Sequence, residues 1–548
     1  MMKRSNLLHI FASLCLITTL SSTPVFAENA DSTVIHSTEF VASQDAIQQF
    51  VKGDFNQRRS MLNQWTGSIE QFDLLVELID KEQLYTDGKG TTYILENDEK
   101  LFSYPDKQEL SQWPNDLSAI TLNNTLKQAL NFGQAQVKLK SEDANQRLEA
   151  IKILESNIDQ IDIATVATLF EKEQNHHVKD ALQQLKARLD FTQSNDVMTK
   201  IKAVEVLAES SQPEILALLQ NELKQPKINT DLKAAIQKAE GSIELRLQAS
   251  EWTGHLFSGL STASILLLAA LGLAITYGLL GVINMAHGEL IMIGAYTTYV
   301  VQSLFKTHLG GMVDWYLIVA IPAAFLVSAL IGMIIERLVI RPLYGRQLET
   351  LLATFGVSLI LMQLVRMTFG AQNVEVSNIS WLSGAVQLTP SLMLPYNRIA
   401  IIGFTIVVLL LLVYLLNKTR FGLFVRAVTQ NRQMARAVGI RSARIDMLAF
   451  GLGSGLAGLA GCALAQIGNV GPDLGQNYII DAFLVVVVGG VGQVWGAVLA
   501  ALGLGISGTA LEIGMGAVLA KIFLLVLVIL FIQKRPQGLF AIKGRFVE

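Results

Sequence analysis

The chain has 548 residues, of which 51% are hydrophobic and only 16% charged, with a mean hydropathy of +0.40 and a formal net charge of -3. Soluble domains carry about 25% charged residues, so part of this chain is predicted to be membrane-embedded. The near-balanced charge gives no electrostatic footprint for nucleic acid. Residues 28–251 are rich in Glu, Asp, Gln, Lys and Asn, whereas 256–533 consist largely of Leu, Ile, Val, Ala and Gly. Two cysteines are present, Cys15 and Cys462, too few to predict a disulfide in the mature chain.

The N-terminus has the layout of a secretory leader: Lys3 and Arg4, then an apolar run from Leu7 to Leu20, then Val25-Phe26-Ala27. Cleavage after Ala27 is expected, giving a leader over 1–27 and an exported segment after it. Cys15 sits mid-run, without the small residues a lipoprotein signal requires. Residues 28–250 read as a periplasmic, mainly helical domain. Turn residues around Tyr85–Gly90, followed by TTYILE and KLFSY, predict a small β-hairpin. QRLEAIKIL (146–154) and TKIKAVEVL (199–207) share apolar spacing, and each precedes a second helical pattern, VKDALQQLKARL and LKAAIQKAEGSI. A repeat of about fifty residues with two helices predicts a HEAT-like solenoid. His176 and His177 are adjacent, do not share a helix face, and are expected to face solvent rather than a metal.

From Leu256 the pattern changes to membrane spans. A helix needs about 20 apolar residues to cross a hydrocarbon core of about 30 Å. The candidates are 256–283, 289–305, 315–340, 350–369, 398–416, 447–468, 478–492, 493–511 and 514–533. The glycine-broken stretch 478–511 is marginal as two spans, so eight or nine are expected. The loop 417–446 carries Lys418, Arg420, Arg426, Arg432, Arg436, Arg441 and Arg444. Arg337, Arg341 and Arg346 crowd another loop, and Lys534, Arg535, Lys543 and Arg545 the C-terminus. The alternate loops carry only Lys306. Positive charge marks the cytoplasmic side, which places the N-terminal domain in the periplasm and the C-terminus in the cytoplasm. The fold class expected is thus mostly α: a polytopic permease domain over 256–540, with broken helices, behind a soluble helical domain.

No GxxxxGK[ST], HExxH, GxSxG or CxxC occurs, so neither a P-loop ATPase nor a familiar catalytic constellation is present. Polar groups inside spans usually face a bundle interior or a water-filled path. The candidate pathway residues are Asn284, His287, Gly288, Glu289, Gln363, Gln466 and Asp481, with Gly489, Gly490 and Gly492. Asn284 and His287 equally fit a cap at a helix break. The two glycine-bearing breaks, 284–288 and 489–492, are expected to border a central substrate site together. Other glycines, such as Gly451, Gly453, Gly455, Gly458 and Gly461, read as close helix packing. The segment TRFGLFVRAVTQNRQMARAVGIRSARID mixes apolar and basic residues. Phe424, Val428 and Ala435 can fall on one helix side, predicting a short helix that docks on a cytoplasmic partner or touches anionic lipid.

These pieces resemble the permease subunits of ABC importers of the branched-chain amino-acid type. The carrying residues are ITYGLLGVINMAHGELIMIGAY, ATFGVSL, TRFGLFVRAVTQNRQMARAVGI, the Gly471-Pro472…Gly475 turn, AFLVVVVGGVGQVWGA and RPQGLF, in the family's order. RPLYGRQLETLLATFGVSL and the long N-terminal extension look most like the urea-type subgroup. The resemblance implies a multi-pass bacterial inner-membrane subunit without an ATPase site or cofactor. It implies a second permease as partner in a heterodimer, two cytoplasmic ABC ATPases and a periplasmic substrate-binding protein. It also implies ATPase coupling through Arg420, Arg426, Ala427, Ala435, Arg436 and Gly439. Urea or a related small amide is then the expected substrate, since Asn284, Gln363 and Gln466 both donate and accept hydrogen bonds. Branched-chain or other hydrophobic amino acids, and passive urea or amide flux through a channel, are the alternatives.

Overall fold

The computed structural model describes residues 46–540, apart from 64, 66, 67, 88, 89, 97–99, 107, 111, 112, 115, 121, 156, 157, 159, 160, 162, 227 and 282. The predicted leader, with Cys15, lies outside the described residues, as do Lys543 and Arg545. Two compact units divide the chain near Leu247.

The first unit opens with helices α1 (Ala46–Lys52), α2 (Phe55–Asn63) and α3 (Ile69–Asp80). Ser68 starts α3 with a capping box: its side chain accepts from Gln71 N while the Gln71 side chain accepts from Ser68 N. Strands β1 (Leu84–Thr86), β2 (Thr92–Glu96), β3 (Lys100–Ser103) and β4 (Ser118–Ala119) form one antiparallel sheet in the order β3-β2-β1-β4. The expected hairpin is therefore a four-stranded sheet. Two-residue β4 shows no alternation for sequence reading to find. Ile47, Phe50, Leu62, Phe72, Leu75 and Leu130 make its core.

Helices α4 (Asn124–Lys138), α5 (Ala144–Glu155), α6 (Ile163–Lys172), α7 (His176–Gln193), α8 (Val197–Leu207), α9 (Pro213–Leu223) and α10 (Thr230–Leu280) follow. The two similar segments lie in α5 and α8. Each is followed by two helices, not one, so the expected two-helix HEAT-like repeat is not what forms. The extra members, α6 and α9, carry weak sequence signals for local reasons. Ile163, Thr165, Val166 and Thr168 make four of the ten residues of α6 β-branched, with weak helix propensity, and α9 begins on Pro213, which ends helices elsewhere but is tolerated in a first turn. Arg147 forks onto both Glu173 oxygens at 2.9 Å, linking α5 to the end of α6. His176 and His177 are exposed.

The second unit contains the rest of α10, then α11 (His287–His308), α12 (Tyr316–Ile335), α13 (Gln347–Phe369), a hairpin of β5 (Ala385–Thr389) and β6 (Leu392–Pro395), α14 (Tyr396–Lys418), the short α15 (Arg420–Gln430) and α16 (Arg432–Ala437), α17 (Ser442–Ala465), α18 (Leu474–Gly489), α19 (Val494–Met515) and α20 (Ala517–Lys534). All nine predicted segments are helical. Among the described residues, seven helices are long and apolar enough to cross a membrane: α10, α12 with its flanking turns, α13, α14, α17, α19 and α20. The expected eight or nine spans are thus seven by length and composition. Helix α18 has 16 residues, about 24 Å at 1.5 Å per residue, short of the core thickness. Helix α11 is interior, buried from His287 through Thr298.

The glycine-rich α17 is the hub. A side chain at Gly294 of α11 would strike the Gly458 backbone. One at Gly461 would strike the Ile291 carbonyl, and one at Gly332 of α12 would strike Ser454. Lipid tails are as apolar as leucine, so close backbone approach and dispersion contacts, not water exclusion, hold such helices together.

Candidate functional site

Helix α10 stops at Leu280, Gly281 turns with φ +67°, and the chain re-enters helix only at His287. Asn284 is 2% exposed, and its Oδ1 accepts from Ala286 N at 3.1 Å, so it caps the turn inside the break. Met285 N donates to Thr354 Oγ1 of α13 at 3.2 Å. His287 Nε2 lies 3.0 Å from the Ala269 carbonyl of α10, a geometry that puts the proton on Nε2 and leaves Nδ1 an acceptor. Glu289 points the other way, its Oε1 accepting from Ser358 Oγ of α13 at 2.9 Å. Both side chains are buried.

Gly288 meets the second broken helix. A Cβ on Gly288 would lie 2.5 Å from the Gly475 carbonyl oxygen, and a Cβ on Gly475 would strike the Gly288 carbonyl in return. The N-termini of α11 and α18 therefore converge, and such ends present unpaired N–H groups and positive dipole ends. The loop before α18 is held by a two-way backbone pair between Val374 and Val470, and Arg366 binds Asp473 at 2.6 Å. The break that accompanies 284–288 is thus the Gly471–Gly475 turn.

The predicted partner break lies elsewhere. Gly490, at φ +98°, and Gly492, at φ +77°, form the tight turn from α18 to α19. That turn packs on the C-terminal segment, where Leu539 N donates to Val488 O at 2.8 Å and a Cβ on Gly490 would lie 2.5 Å from the Phe540 carbonyl. Gly489 packs on Gly496, and Gly492 on Gly278 of α10. Packing, not a shared polar site, accounts for these three. Gln363 is exposed on the outer face of α13, and half-buried Asp481 pairs with Lys521 of α20 at 3.6 Å. Gln466 ends α17 beside Tyr316 and Asn397. Of the predicted pathway residues, only Asn284, His287, Gly288 and Glu289 come together.

Within 284–296 four buried polar atoms have no hydrogen-bond partner among the described residues: Asn284 Nδ2, His287 Nδ1, Glu289 Oε2 and Tyr296 Oη. Nine in ten or more of the buried polar groups in a native structure are paired, so such a concentration marks a place built to meet water or a polar ligand. Sequence reading missed Thr350, Thr354 and Ser358, the buried hydroxyl stripe of α13 that faces this region. Their spacing of four residues was the available signal.

The basic segment forms α15 and α16. Thr419 caps α15 by accepting from Gly422 N, Asn431 caps α16 by accepting from Met434 N at 2.9 Å, and Gly439 turns the chain away at φ +88°. Val428 and Ala435 are buried, whereas Phe424 is not. With Leu423, Met434 and Val438 it forms an exposed apolar set among Arg420, Arg426 and Arg436. Ala427 is half-buried. Arg426 Nη1 donates to the Leu416 carbonyl at 3.0 Å, and Arg436 Nε to Ser442 Oγ at 2.7 Å.

Beneath α16 lies an ion network. Arg432 contacts Asp446 at 3.0 Å and stacks 4.9 Å from the Tyr344 ring centroid. Tyr344 Oη donates to Glu336 at 2.8 Å, and Arg341 binds the same carboxylate at 2.9 Å. Burial first, then the Asp446 and Glu336 carboxylates, push the Tyr344 hydroxyl far above its usual range, so it stays a donor.

Membrane-length helices packed on a glycine-rich hub, with broken helices around buried polar atoms, define a polytopic membrane permease. The chain belongs to the family of permease components of branched-chain amino acid transport systems, whose model matches residues 255–532. This is the permease component of ABC transporters, which lacks an ATPase domain. The chain is similar to the high-affinity branched-chain amino acid transport system permease protein BraD of Pseudomonas aeruginosa, at 30% identity over 290 residues, covering 52% of this chain and 94% of that protein. It is similar to LivH of Escherichia coli strain K12 at 29% over 292 residues, with the same coverage of each chain. An autoinducer 2 import system permease protein, LsrC of Salmonella paratyphi B, is 37% identical over 130 residues, 22% of this chain and 38% of that protein. No solved structure matches.

Proposed function

We propose that this chain is the membrane subunit of an ATP-driven importer of small polar nitrogenous solutes, with the convergence of α11 and α18 at Gly288 and Gly475 bordering the substrate path. The observation that carries this reading is the set of four unpartnered polar atoms within 284–296, inside the segment that matches the family. The subunit works beside a partner permease, cytoplasmic ATPases and a binding protein. The basic loops face the cytoplasm and the N-terminal unit the periplasm of a bacterial inner membrane. Leu423, Phe424, Met434 and Val438, ringed by Arg420, Arg426 and Arg436, form the ATPase-facing surface.

Branched-chain amino acids are the substrate class that the names of BraD and LivH support. Urea or a small amide is the second reading, favoured by charge. Glu289 is buried beside the break, while Arg366 and Lys521 are engaged by Asp473 and Asp481, so an α-carboxylate would depend on the convergent helix N-termini rather than on a side-chain cation. The test is uptake of labelled leucine and labelled urea, in parallel, by cells carrying the complete transport set. Accumulation above the medium level that collapses with Arg426→Glu is the expected result for a coupled importer. Flux that only equilibrates, whatever residue 426 is, would make the protein a channel. Glu289→Ala should lower uptake of the true substrate by about tenfold, the worth of one hydrogen bond to a charged group. Unchanged uptake in that variant would remove Glu289 from the path. Deleting 28–250 tests whether the N-terminal unit docks the binding protein, and normal uptake would rule that out.

A further inference from the structure

We infer that the loop after α13 and the loop before α18 are the two halves of a gate over the broken-helix region. One half runs from Arg366 to Ser377, the other from Gly468 to Asp473. Three contacts clasp them together. Val374 and Val470 exchange backbone N–H···O bonds at 2.8 and 2.9 Å, and Arg366 Nη2 donates to Asp473 Oδ1 at 2.6 Å. Asn373 packs so closely on Gly471 that a Cβ there would strike its Oδ1. Beneath the first half, the Phe369 ring lies 4.7 Å, centroid to centroid, from that of Tyr296, whose buried hydroxyl is one of the four atoms without a partner. In the second half, Asp473 is two residues before Gly475, whose backbone meets Gly288. The halves thus meet where α11 and α18 converge.

The clasp is weak beside the anchor next to it. Ser377 O accepts from Gln302 Nε2 at 2.7 Å and from Tyr316 Oη at 3.0 Å, Ser377 N donates to Gln302 Oε1 at 3.2 Å, and Lys306 Nζ donates to Ser377 Oγ at 2.6 Å. These four bonds tie the first half to α11 and α12. At the clasp, by contrast, both members of the ion pair are exposed, and such pairs contribute little. Two backbone bonds exchange for bonds to water at small net cost. Gly370, at φ +96°, follows α13, and Gly468 follows α17; nothing lies within 4 Å of a Cβ added at either. Residues at the ends of elements, with room to turn, are where a hinge absorbs its backbone change.

The experiment locks the clasp. A hydrogen-bonded antiparallel pair sets its Cα atoms about 5.5 Å apart, within the span of a disulfide. Val374→Cys/Val470→Cys, in a Cys15→Ala/Cys462→Ala background, should cross-link on oxidation in cells carrying the complete transport set. Uptake of labelled leucine or urea should be lost when the bond forms and return on reduction. Unchanged uptake with the bond formed would overturn the gate, because locking a contact that never opens changes nothing. Failure of the bond to form would mean that the loops are not clasped. Since this readout rests on the importer reading, a second one does not use transport. A membrane-impermeant methanethiosulfonate, added to spheroplasts, should label the Tyr296→Cys thiol about fivefold faster when Asp473→Arg replaces attraction by repulsion at the clasp. The swap Arg366→Asp/Asp473→Arg should restore the slow rate. Equal rates in the three proteins would refute the gate, whereas absence of uptake in the reduced protein would refute only the importer.

Discussion

Arg432→Ala is expected to destabilise the permease unit by about 3 kcal/mol and to reduce coupled uptake more than tenfold. Asp446 and Glu336 are both fully buried, and Arg432 is the guanidinium that faces Asp446. Removing one member of a buried pair leaves an uncompensated charge, a loss of about 3–5 kcal/mol. The lower end applies because Arg432 itself is 29% exposed. Helix α16 has only six residues, so it depends on this anchor and on buried Ala435 to hold its position. The double variant Arg432→Met/Asp446→Leu should recover most of the thermal stability, since no buried charge is then unpaired. Thermal unfolding of the purified chain, read with uptake, checks both. If Arg432→Ala melts like the native protein, the network does not anchor α16.

Gly461→Val should give no folded protein. Even a Cβ at 461 strikes the Ile291 carbonyl oxygen and comes within 2.8 Å of Ala295 N. The obstacle is helix backbone rather than the end of a flexible side chain, so α11 and α17 would have to separate. Overpacking a core that can adjust costs about 1–3 kcal/mol, and this site cannot adjust locally. Gly503→Ala on α19 is the control, because nothing lies within 4 Å of the added atom. Size-exclusion profiles of the two variants in detergent should show loss of the monodisperse peak for the first and an unchanged peak for the second. A normal profile for Gly461→Val would mean that α17 is not the packing hub.

Much of the membrane unit was legible because its signals are local. Each of the nine apolar segments forms helix, and the spacing of the glycines in α17 already marks close helix packing. Asn284, His287 and Glu289 stood out because a charge amid apolar residues needs a reason. The partner of that break is less legible. Two adjacent glycines at 489–490 look like a stronger interruption than Gly471-Pro472…Gly475, yet their role depends on the C-terminal residues that cover them. Gln363 and Gln466 have the same chemistry as Asn284. One faces outward on α13 and the other lines a cavity between helix ends, and helical periodicity does not say which stripe meets which neighbour. In the first unit, the second helix of each three-helix group was hidden by β-branched residues and by a proline that begins a helix.

The sequence by itself determined that this is a membrane permease without an ATPase domain, where the apolar helices of its membrane unit run, and which segment is basic. Hydropathy, charge and motif spacing are properties of neighbours along the chain, and these suffice for such conclusions. Only the tertiary structure decided that Gly288 meets Gly475, that Thr354 and Ser358 complete the polar region, and that Arg432 is clamped on Asp446. Those contacts join residues 14 to 187 positions apart. They depend on how closely helices approach and in what rotation, which small residues permit but local pattern does not specify.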